Sequence, residues 1–252
     1  MNITGNTIFI PGATSGIGLA LAMRLRDRGN TVVIGGRRAE LLDQLAAEHG
    51  FGTVRIDVAD AASVTEAAAD VVARYPATNV LVTMSGIMRV EDWTSPGFLA
   101  DAEDVITTNL LGTVRLVAAF TAHLQTRPDA AIVTVSSGLA HVPLRPTVSY
   151  NATKAAIHQL SESLRLQLAP VGVQVVELVP PSVRTALLPG QETSEFAMPL
   201  DDFADEVMDL LEKNPEAHEI LVERVGFLRH AEARGDYAEV VGILNAADPH
   251  AR

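Results

Sequence analysis

The chain has 252 residues, of which 48% are hydrophobic and 20% charged, so it can bury the core of one large α/β domain or two small ones. Its net charge of −12 without a basic run argues against nucleic acid or an anionic membrane as partner, and the lack of cysteine excludes disulfides and thiolate chemistry. The N-terminal residues do not match a signal peptide, and no apolar run approaches a membrane span, so we expect a cytoplasmic protein.

Short β-branched runs alternate with amphipathic segments along the whole chain. The runs predict strands at 7–10, 31–35, 53–57, 79–83, 131–136, 173–179 and 219–222. Helical patterns lie between them, for example at 18–29, 40–50, 150–169 and 201–213. Nearly continuous apolar strands suit a parallel sheet that is covered by helices on both faces. We therefore predict a doubly wound, Rossmann-like α/β fold of about seven strands, in one domain over residues 1–252.

A glycine-rich turn, PGATSGIG, follows the first predicted strand and opens an amphipathic helix. Glycines permit a tight turn and close backbone approach, and the helix N-terminus offers N–H groups to an anion. A glycine trio alone is a weak signal, but its place between a strand and a helix predicts dinucleotide binding. The residues predicted to contact the cofactor here are Gly12, Thr14, Ser15, Gly16, Ile17 and Gly18.

The second predicted strand ends in VVIGGRRAE, where an NAD-binding protein would carry an acidic residue for the ribose. No carboxylate lies between Gly29 and Ala39. Arg37 and Arg38 could instead bind a 2′-phosphate, or one or both could be solvated arginines at a helix start. This pattern favours NADP(H) over NAD(H). Arg37 is the stronger candidate for binding the 2′-phosphate, and whether Arg38 joins it is left open.

Tyr150 and Lys154 are four residues apart in a helical pattern and therefore share one face. Alone, such a pair is usually two surface residues. Ser137, however, lies at the end of the fifth predicted strand and faces the cleft where open α/β sheets bind ligands. A tyrosine whose pKa is lowered by a nearby ammonium can protonate a carbonyl oxygen while a serine hydroxyl shares that oxygen.

Four motifs in order carry a resemblance to a known family: GATSGIG (12–18), TNLLG (108–112), VTVSSG (133–138) and YNATK (150–154). Together they resemble the short-chain dehydrogenase/reductase family over essentially the whole chain. The segment from DDFADEVMDLLEKN to FLRHAEARGDY is also similar to the bacterial DltE-like subgroup of uncharacterised oxidoreductases. The resemblance implies an NADP(H)-dependent reductase of ketones or aldehydes.

The resemblance also assigns roles to individual residues. Tyr150 would donate or accept the proton, Lys154 would hold the nicotinamide ribose and lower the pKa of the tyrosine, and Ser137 would orient the substrate carbonyl. Asn109 would hold a water on the proton path to Lys154. Asp57 and Val58 would flank the adenine, and Val183 and Thr185 would contact the carboxamide. The remaining implied cofactor contacts are Ser85, Gly86 and Pro180.

Three positions depart from the family pattern. Pro11 replaces the usual threonine before the first glycine, which removes a backbone donor. The usual NNAG after the fourth strand is TMSG, so another group must satisfy the contacts of the missing asparagines. Pro181 replaces the usual glycine after Pro180 and stiffens the following loop.

The predicted substrate pocket is mainly apolar, which favours a neutral, hydrophobic ketone or aldehyde. Its expected lining residues are Met88, Trp93, Leu139, Ala140, Leu187, Leu188 and Phe196, the last three in a mobile substrate loop at 182–200. Alternatively, Arg89 and Arg145 could bind a substrate carboxylate. The functional alternatives are an NAD-linked alcohol dehydrogenase and a non-catalytic NADP-binding regulatory protein.

The sequence offers less on metals and assembly. No carboxylate–histidine spacing indicates a metal site, so His158 is predicted to be a packed or partly exposed helix residue. Ser136 is predicted to be a strand-end hydroxyl that bonds a backbone group. The helical pattern around 103–124 is apolar on more than one face, and similar family members pair through this helix and the Tyr150 helix. We therefore expect a homodimer or homotetramer.

Overall fold

The computed structural model describes residues 1–246; the tail after Pro249, which the sequence predicts to be frayed, lies outside the described residues. Seven strands of the described chain form one parallel sheet in the order third, second, first, fourth, fifth, sixth, seventh. The strands are β1 (Thr7–Pro11), β2 (Thr31–Gly36), β3 (Gly52–Arg55), β4 (Val80–Thr83), β5 (Ala130–Val135), β6 (Val173–Val179) and β7 (Glu219–Leu221). The predicted doubly wound sheet is confirmed.

Helices connect the strands and cover both faces of the sheet. They are α1 (Gly16–Asp27), α2 (Ala39–His49), α3 (Ala61–Arg74), α4 (Phe98–Val105), α5 (Gly112–Leu124), α6 (Val148–Leu168), α7 (Leu200–Lys213), α8 (Gly226–Arg229), α9 (Ala231–Arg234) and α10 (Tyr237–Ala246). The last three follow β7 and were not predicted as helices.

The first strand shows how the two layers of core are built. Ile8 and Ile10 pack into the hydrophobic cluster on one face of the sheet, and Phe9, between them, packs into the cluster on the other face. Successive side chains of a strand point to opposite faces, so an uninterrupted apolar run is buried on both. This is why the strands carry continuous rather than alternating hydrophobic patterns.

A long helical segment, Phe98–Leu124, comprises α4, a π-helical turn at Ile106–Leu111, and α5. Its 27 residues are long and apolar enough to cross a membrane by length and composition, contrary to the expectation from the sequence. Such a segment is weak evidence of a membrane span, because the core helix of a globular domain meets the same criteria. Here Leu116, Phe120 and Leu124 are buried in the cluster that contains Phe9, as in a core helix.

The sheet reverses its winding direction at β1, which pairs with β2 on one side and β4 on the other. In open α/β sheets this switch point leaves a crevice beyond the carboxyl ends of the strands. β1, β4, β5 and β6 end at Pro11, Thr83, Val135 and Val179. The residues that follow these four ends therefore meet at one edge of the sheet.

Candidate active site

The glycine turn brings the ends of β1 and β4 into contact. Gly12 has a φ of +94°, and a Cβ there would lie 2.6 Å from the backbone nitrogen of Ser85. A Cβ on Gly18 would lie 2.7 Å from the carbonyl oxygen of Gly12. Only glycine fits either position. The predicted cofactor residue Ser85 therefore lies directly against the turn.

The start of α1 is suited to an anion. The helix begins at Gly16, its cap residue Ser15 makes no side-chain capping bond, and its first turn contains no acidic residue. Helix N-termini with free N–H groups and no competing carboxylate attract phosphate. Thr185, from the loop after β6, has its methyl group 3.3 Å from where a Cβ on Gly16 would lie. The loop thus reaches over the turn.

Arg38 lies beside the glycine turn. Its guanidinium donates to the Thr14 hydroxyl at 3.2 Å, and a Cβ on Gly36 would lie 2.7 Å from the Thr14 methyl group. Arg37 and Arg38 are both exposed at the end of β2. The structure thus places Arg38 at the turn by a direct contact, whereas the sequence favoured Arg37 as the phosphate ligand.

The predicted adenine contacts follow β3. The Asp57 carboxylate accepts a hydrogen bond from the Ala59 nitrogen at 3.0 Å, and Val58 is buried against Gly112. These contacts fix the turn at the edge of the crevice next to β2.

Ser137, Tyr150 and Lys154 converge where β5 ends. The Lys154 ammonium donates to the carbonyl of Val135, the last residue of β5, at 2.7 Å, and lies 5.4 Å from the centre of the Tyr150 ring. Tyr150 and Lys154 are each only 7% exposed. The Ser137 hydroxyl, just beyond the strand, accepts from the Leu139 nitrogen at 3.1 Å. The structure thus brings the three predicted catalytic groups together.

Burial governs the ionisation of this pair. It raises the pKa of Tyr150 to about 12, which a hydrogen bond with Ser137 partly offsets. Burial also lowers the pKa of Lys154 to about 8, against the opposing effect of the Glu177 carboxylate. At neutral pH the lysine is therefore charged and the tyrosine is protonated. In the chain itself, the expected lowering of the tyrosine pKa is outweighed by burial.

Asn109 lies in the π-helical turn between α4 and α5, a type of distortion that is frequent at functional sites. Its amide oxygen accepts from the Ile87 nitrogen at 2.8 Å, and its amide nitrogen donates to the Ile87 carbonyl at 2.9 Å. The side chain thus holds the segment after β4 in place. Its implied role with a water stays a prediction.

An apolar cluster surrounds Tyr150. Its members are Ile87, Met88, Val105, Leu139, Leu144, Tyr150, Leu187 and Leu188. Two other expected lining residues, Trp93 and Phe196, are 50% and 73% exposed, and Ala140 is partly buried. The structure thus brings Leu187 and Leu188 of the predicted substrate loop to the tyrosine. The mobility of that loop stays a prediction, although Val183 and Met198 pair across it.

The two arginines considered for a substrate carboxylate are not equivalent. Arg89 lies 3.4 Å from Asp104 and 3.8 Å from Asp101, so acidic groups already compensate its charge. The Arg145 side chain is exposed, and its backbone nitrogen donates to Asn245. The apolar cluster around Tyr150 is therefore the better-defined lining.

The structure shows the consequence of two departures from the family pattern. Thr83, where the family has an asparagine, has a buried hydroxyl with no hydrogen-bond partner among the described residues. The expected replacement of the missing asparagine contacts is thus incomplete at this position. At Pro11, the chain continues the β1–β2 ladder through the Gly12 nitrogen, which donates to the Gly35 carbonyl at 2.8 Å.

Two polar residues near the site have a partner that the sequence did not reveal. Ser136, predicted to bond a backbone group, donates instead to the Glu177 carboxylate. His158 is partly exposed, as predicted, but its Nδ1 lies 2.8 Å from Glu177 Oε2. Glu177 is fully buried in β6, and a carboxylate inside the apolar run VQVVELV was the available signal. Histidine spacing could not reveal a partner on another element.

Comparisons with known proteins agree on one family. A short chain dehydrogenase family model matches residues 6–195. The chain is 37% identical over 258 residues to the uncharacterized oxidoreductase DltE of Bacillus subtilis, covering 98% of this chain and 100% of that one. It is 33% identical over 186 residues to an NADPH-dependent 1-acyldihydroxyacetone phosphate reductase of Schizosaccharomyces pombe, covering 71% of this chain and 60% of that one.

Comparison with solved structures supports the same family. A solved short chain dehydrogenase from Burkholderia cenocepacia, in complex with NADP, superposes with a TM-score of 0.81 at 25% sequence identity. The match covers 99% of this chain and 100% of the other.

Proposed function

The chain belongs to the short-chain dehydrogenase family of oxidoreductases, and on that basis we propose that it is an NADP(H)-dependent carbonyl reductase, or an alcohol dehydrogenase in the reverse direction. The observation that carries this proposal is the convergence of Ser137, Tyr150 and Lys154 at the end of β5, in the crevice that also holds the glycine turn. Buried groups with shifted pKa values that meet in a crevice are typical of catalytic sites.

The residues around the crevice fit a dinucleotide. Gly12 and Gly18 leave room that a Cβ would fill, and the start of α1 carries no acidic residue. When bound, the nicotinamide supplies the hydride. Arg38 beside Thr14, together with the absence of a carboxylate at the end of β2, supports a 2′-phosphate and therefore NADP(H). The Burkholderia cenocepacia structure in complex with NADP and the NADPH-dependent Schizosaccharomyces pombe reductase support the same choice.

Tyr150 acts as the proton donor in the reductive direction. Its pKa of about 12 keeps the phenol protonated at neutral pH, so a proton is present at the hydroxyl oxygen when the substrate oxygen acquires charge. The Ser137 hydroxyl donates to the same substrate oxygen and fixes its position. Lys154, held by the Val135 carbonyl, keeps a cation near the tyrosine ring below a pH of about 8.

The substrate class follows from the cluster around Tyr150. Leu139, Leu144 and Leu187 are only partly buried and pack against the cluster that contains the phenol. A ketone or aldehyde with an apolar substituent would bury that substituent against them, which contributes about 25 cal/mol for each Å² of apolar surface removed from water. We therefore propose a neutral, hydrophobic carbonyl substrate over an anionic one.

A panel assay tests this function. The purified chain is mixed with NADPH or NADH and with ketones and aldehydes that include bulky aromatic, aliphatic and carboxylate-bearing members. We expect NADPH oxidation to be fastest with neutral apolar carbonyls. Preference for NADH would support the NAD-linked alternative. Tight NADPH binding without turnover of any member would instead support the non-catalytic regulatory alternative and contradict the proposal.

A further inference from the structure

A second polar cluster adjoins the active site, where the Glu177 carboxylate accepts a hydrogen bond from Ser136, the neighbour of Ser137. It comprises His141, His158, Glu177 and Glu219. Each contributes one nitrogen or carboxylate oxygen, and these four atoms all lie within 4.8 Å of one another. The residues come from four separate elements: the segment after the 3₁₀ turn Gly138–Ala140, then α6, β6 and β7. We propose that this cluster is a binding site for one Zn²⁺ ion.

The donor set matches zinc chemistry. Zinc in proteins is held by four ligands in a tetrahedron, drawn from imidazole nitrogens, carboxylate oxygens and thiolates, with bonds of about 2 Å. Ligand atoms at that distance are roughly 3.3 Å apart, so the present cluster closes around an ion with movements on the order of 1 Å. Two imidazoles and two carboxylates favour zinc over magnesium or calcium, which prefer oxygen ligands alone.

One ring nitrogen in the cluster lacks a partner. His141 Nε2 is buried and makes no hydrogen bond within the part of the chain that the structure describes. The His141 and His158 rings meet edge to face, with centres 4.7 Å apart. Burying a polar nitrogen without a partner costs free energy, which metal coordination would offset.

Both carboxylates accept hydrogen bonds from residues outside the cluster. Ser136 donates to Glu177, and Arg229 forms two bonds of 2.8 and 2.9 Å with Glu219. Ligating carboxylates in metal sites are typically oriented in this way by neighbouring hydrogen-bond donors. A carboxylate has about four acceptor positions, so both residues retain positions for a metal. Coordination would replace the present contact of His158 Nδ1 with the Glu177 carboxylate. The site would tie β6 and β7 to the segment that follows Ser137.

Metal retention tests the proposal without reference to activity. The full-length chain is stripped with a chelator, loaded with excess ZnCl₂, gel-filtered, and its zinc content measured by mass spectrometry. We expect the wild type to retain one zinc per chain. His141→Gln and His158→Gln should each reduce retained zinc to background. His218→Gln, which changes an exposed histidine outside the cluster, should retain one equivalent.

Folding and coordination are checked separately. Circular dichroism without metal establishes that each variant is folded, and zinc should raise the unfolding midpoint of the wild type and of His218→Gln only. Co²⁺ loading should give the visible absorption of tetrahedral cobalt in these two proteins. Equal retention by the wild type and the cluster variants, or no retention by the folded wild type, would overturn the zinc site. The carbonyl-reductase proposal would be unaffected by either result.

Discussion

Lys154 is the residue at which function most clearly opposes stability. The ammonium is buried, and its pKa of about 8 lies below the ordinary value of 10.5. Between these two pH values the unfolded chain binds a proton that the folded chain has released. Stability therefore rises with pH in this window, and below about pH 8 the folded state bears the full cost of the buried charge.

Replacing this lysine should remove that cost. We expect Lys154→Met to abolish activity and to be more stable than the wild type at pH 7. Between pH 8 and 10, the free energy of unfolding of the wild type should rise by about 2 kcal/mol relative to that of the variant. Urea denaturation at several pH values measures the stability at pH 7 and its change with pH. Lys213→Met, at the exposed other lysine of the chain, is the control and should show no such difference. If the unfolding free energies of Lys154→Met and the wild type changed equally with pH, this expectation would be contradicted.

The arginines at the end of β2 provide a second test at the scale of single residues. Loss of a charged, forked donor to a 2′-phosphate should weaken binding of NADPH and leave NADH unaffected. We expect Arg38→Ala to raise the KM for NADPH about tenfold or more. Arg37→Ala tests the residue that the sequence favoured.

Arg127→Ala serves as the control for both variants. Arg127 bonds the Pro76 carbonyl at the opposite edge of the sheet, away from the crevice. If Arg38→Ala raised the KM for NADPH and for NADH equally, this arginine would not recognise the phosphate.

At the scale of elements, the start of α6 depends on a residue distant in sequence. The Glu91 carboxylate accepts from the Ser149 nitrogen at 2.9 Å and from the Trp93 indole at 2.9 Å. The helix's own cap residue, Thr147, makes no side-chain capping bond. Glu91 therefore takes the place of the cap for the helix that carries Tyr150 and Lys154.

Removal of this cap should affect stability and catalysis together. We expect Glu91→Ala to lower the free energy of unfolding by about 1–2 kcal/mol and to reduce kcat, because Tyr150 directly follows Ser149. Denaturant unfolding and steady-state kinetics measure the two effects. Glu103→Ala, at an exposed carboxylate on α4, should change neither. An unaltered unfolding curve for Glu91→Ala would show that α6 does not need this cap.

Elements and polar networks differ in how far the sequence predicts them. The strands were predicted to within a few residues, because each is a β-branched run bounded by turn residues. Tyr150 and Lys154 share a helix, so their proximity follows from spacing. The bonds of Glu91 to α6 and of Glu177 to His158 join distant segments, and only the packing of the sheet brings them together. The raised pKa of Tyr150 likewise reflects burial, which no local pattern reveals.

At the scale of the whole molecule, exposed apolar side chains lie along the Phe98–Leu124 segment. Ile106, Leu111 and Val114 are each between 41% and 42% exposed, and Leu166 on the adjacent α6 is 80% exposed. Such a surface would be buried if subunits pair through these helices, so the homodimer or homotetramer stays a prediction.

A charged residue on this surface should dissociate the oligomer. We expect the wild type to have the mass of a dimer or tetramer in light scattering, and Val114→Asp to shift toward the monomer. Ile243→Asp changes an exposed apolar residue on α10, outside this surface, and should leave the mass unchanged. A monomeric wild type would rule out the proposed assembly.

The most direct test of the whole account is the rate of NADPH-dependent carbonyl reduction by Tyr150→Phe. The variant keeps the ring that packs against Met88 and Leu188 and loses only the hydroxyl that donates the proton. We predict that kcat/KM falls at least about 100-fold, while NADPH binding, followed by fluorescence titration, stays within twofold of wild type. A kcat/KM close to that of the wild type would show that Tyr150 is not the proton donor.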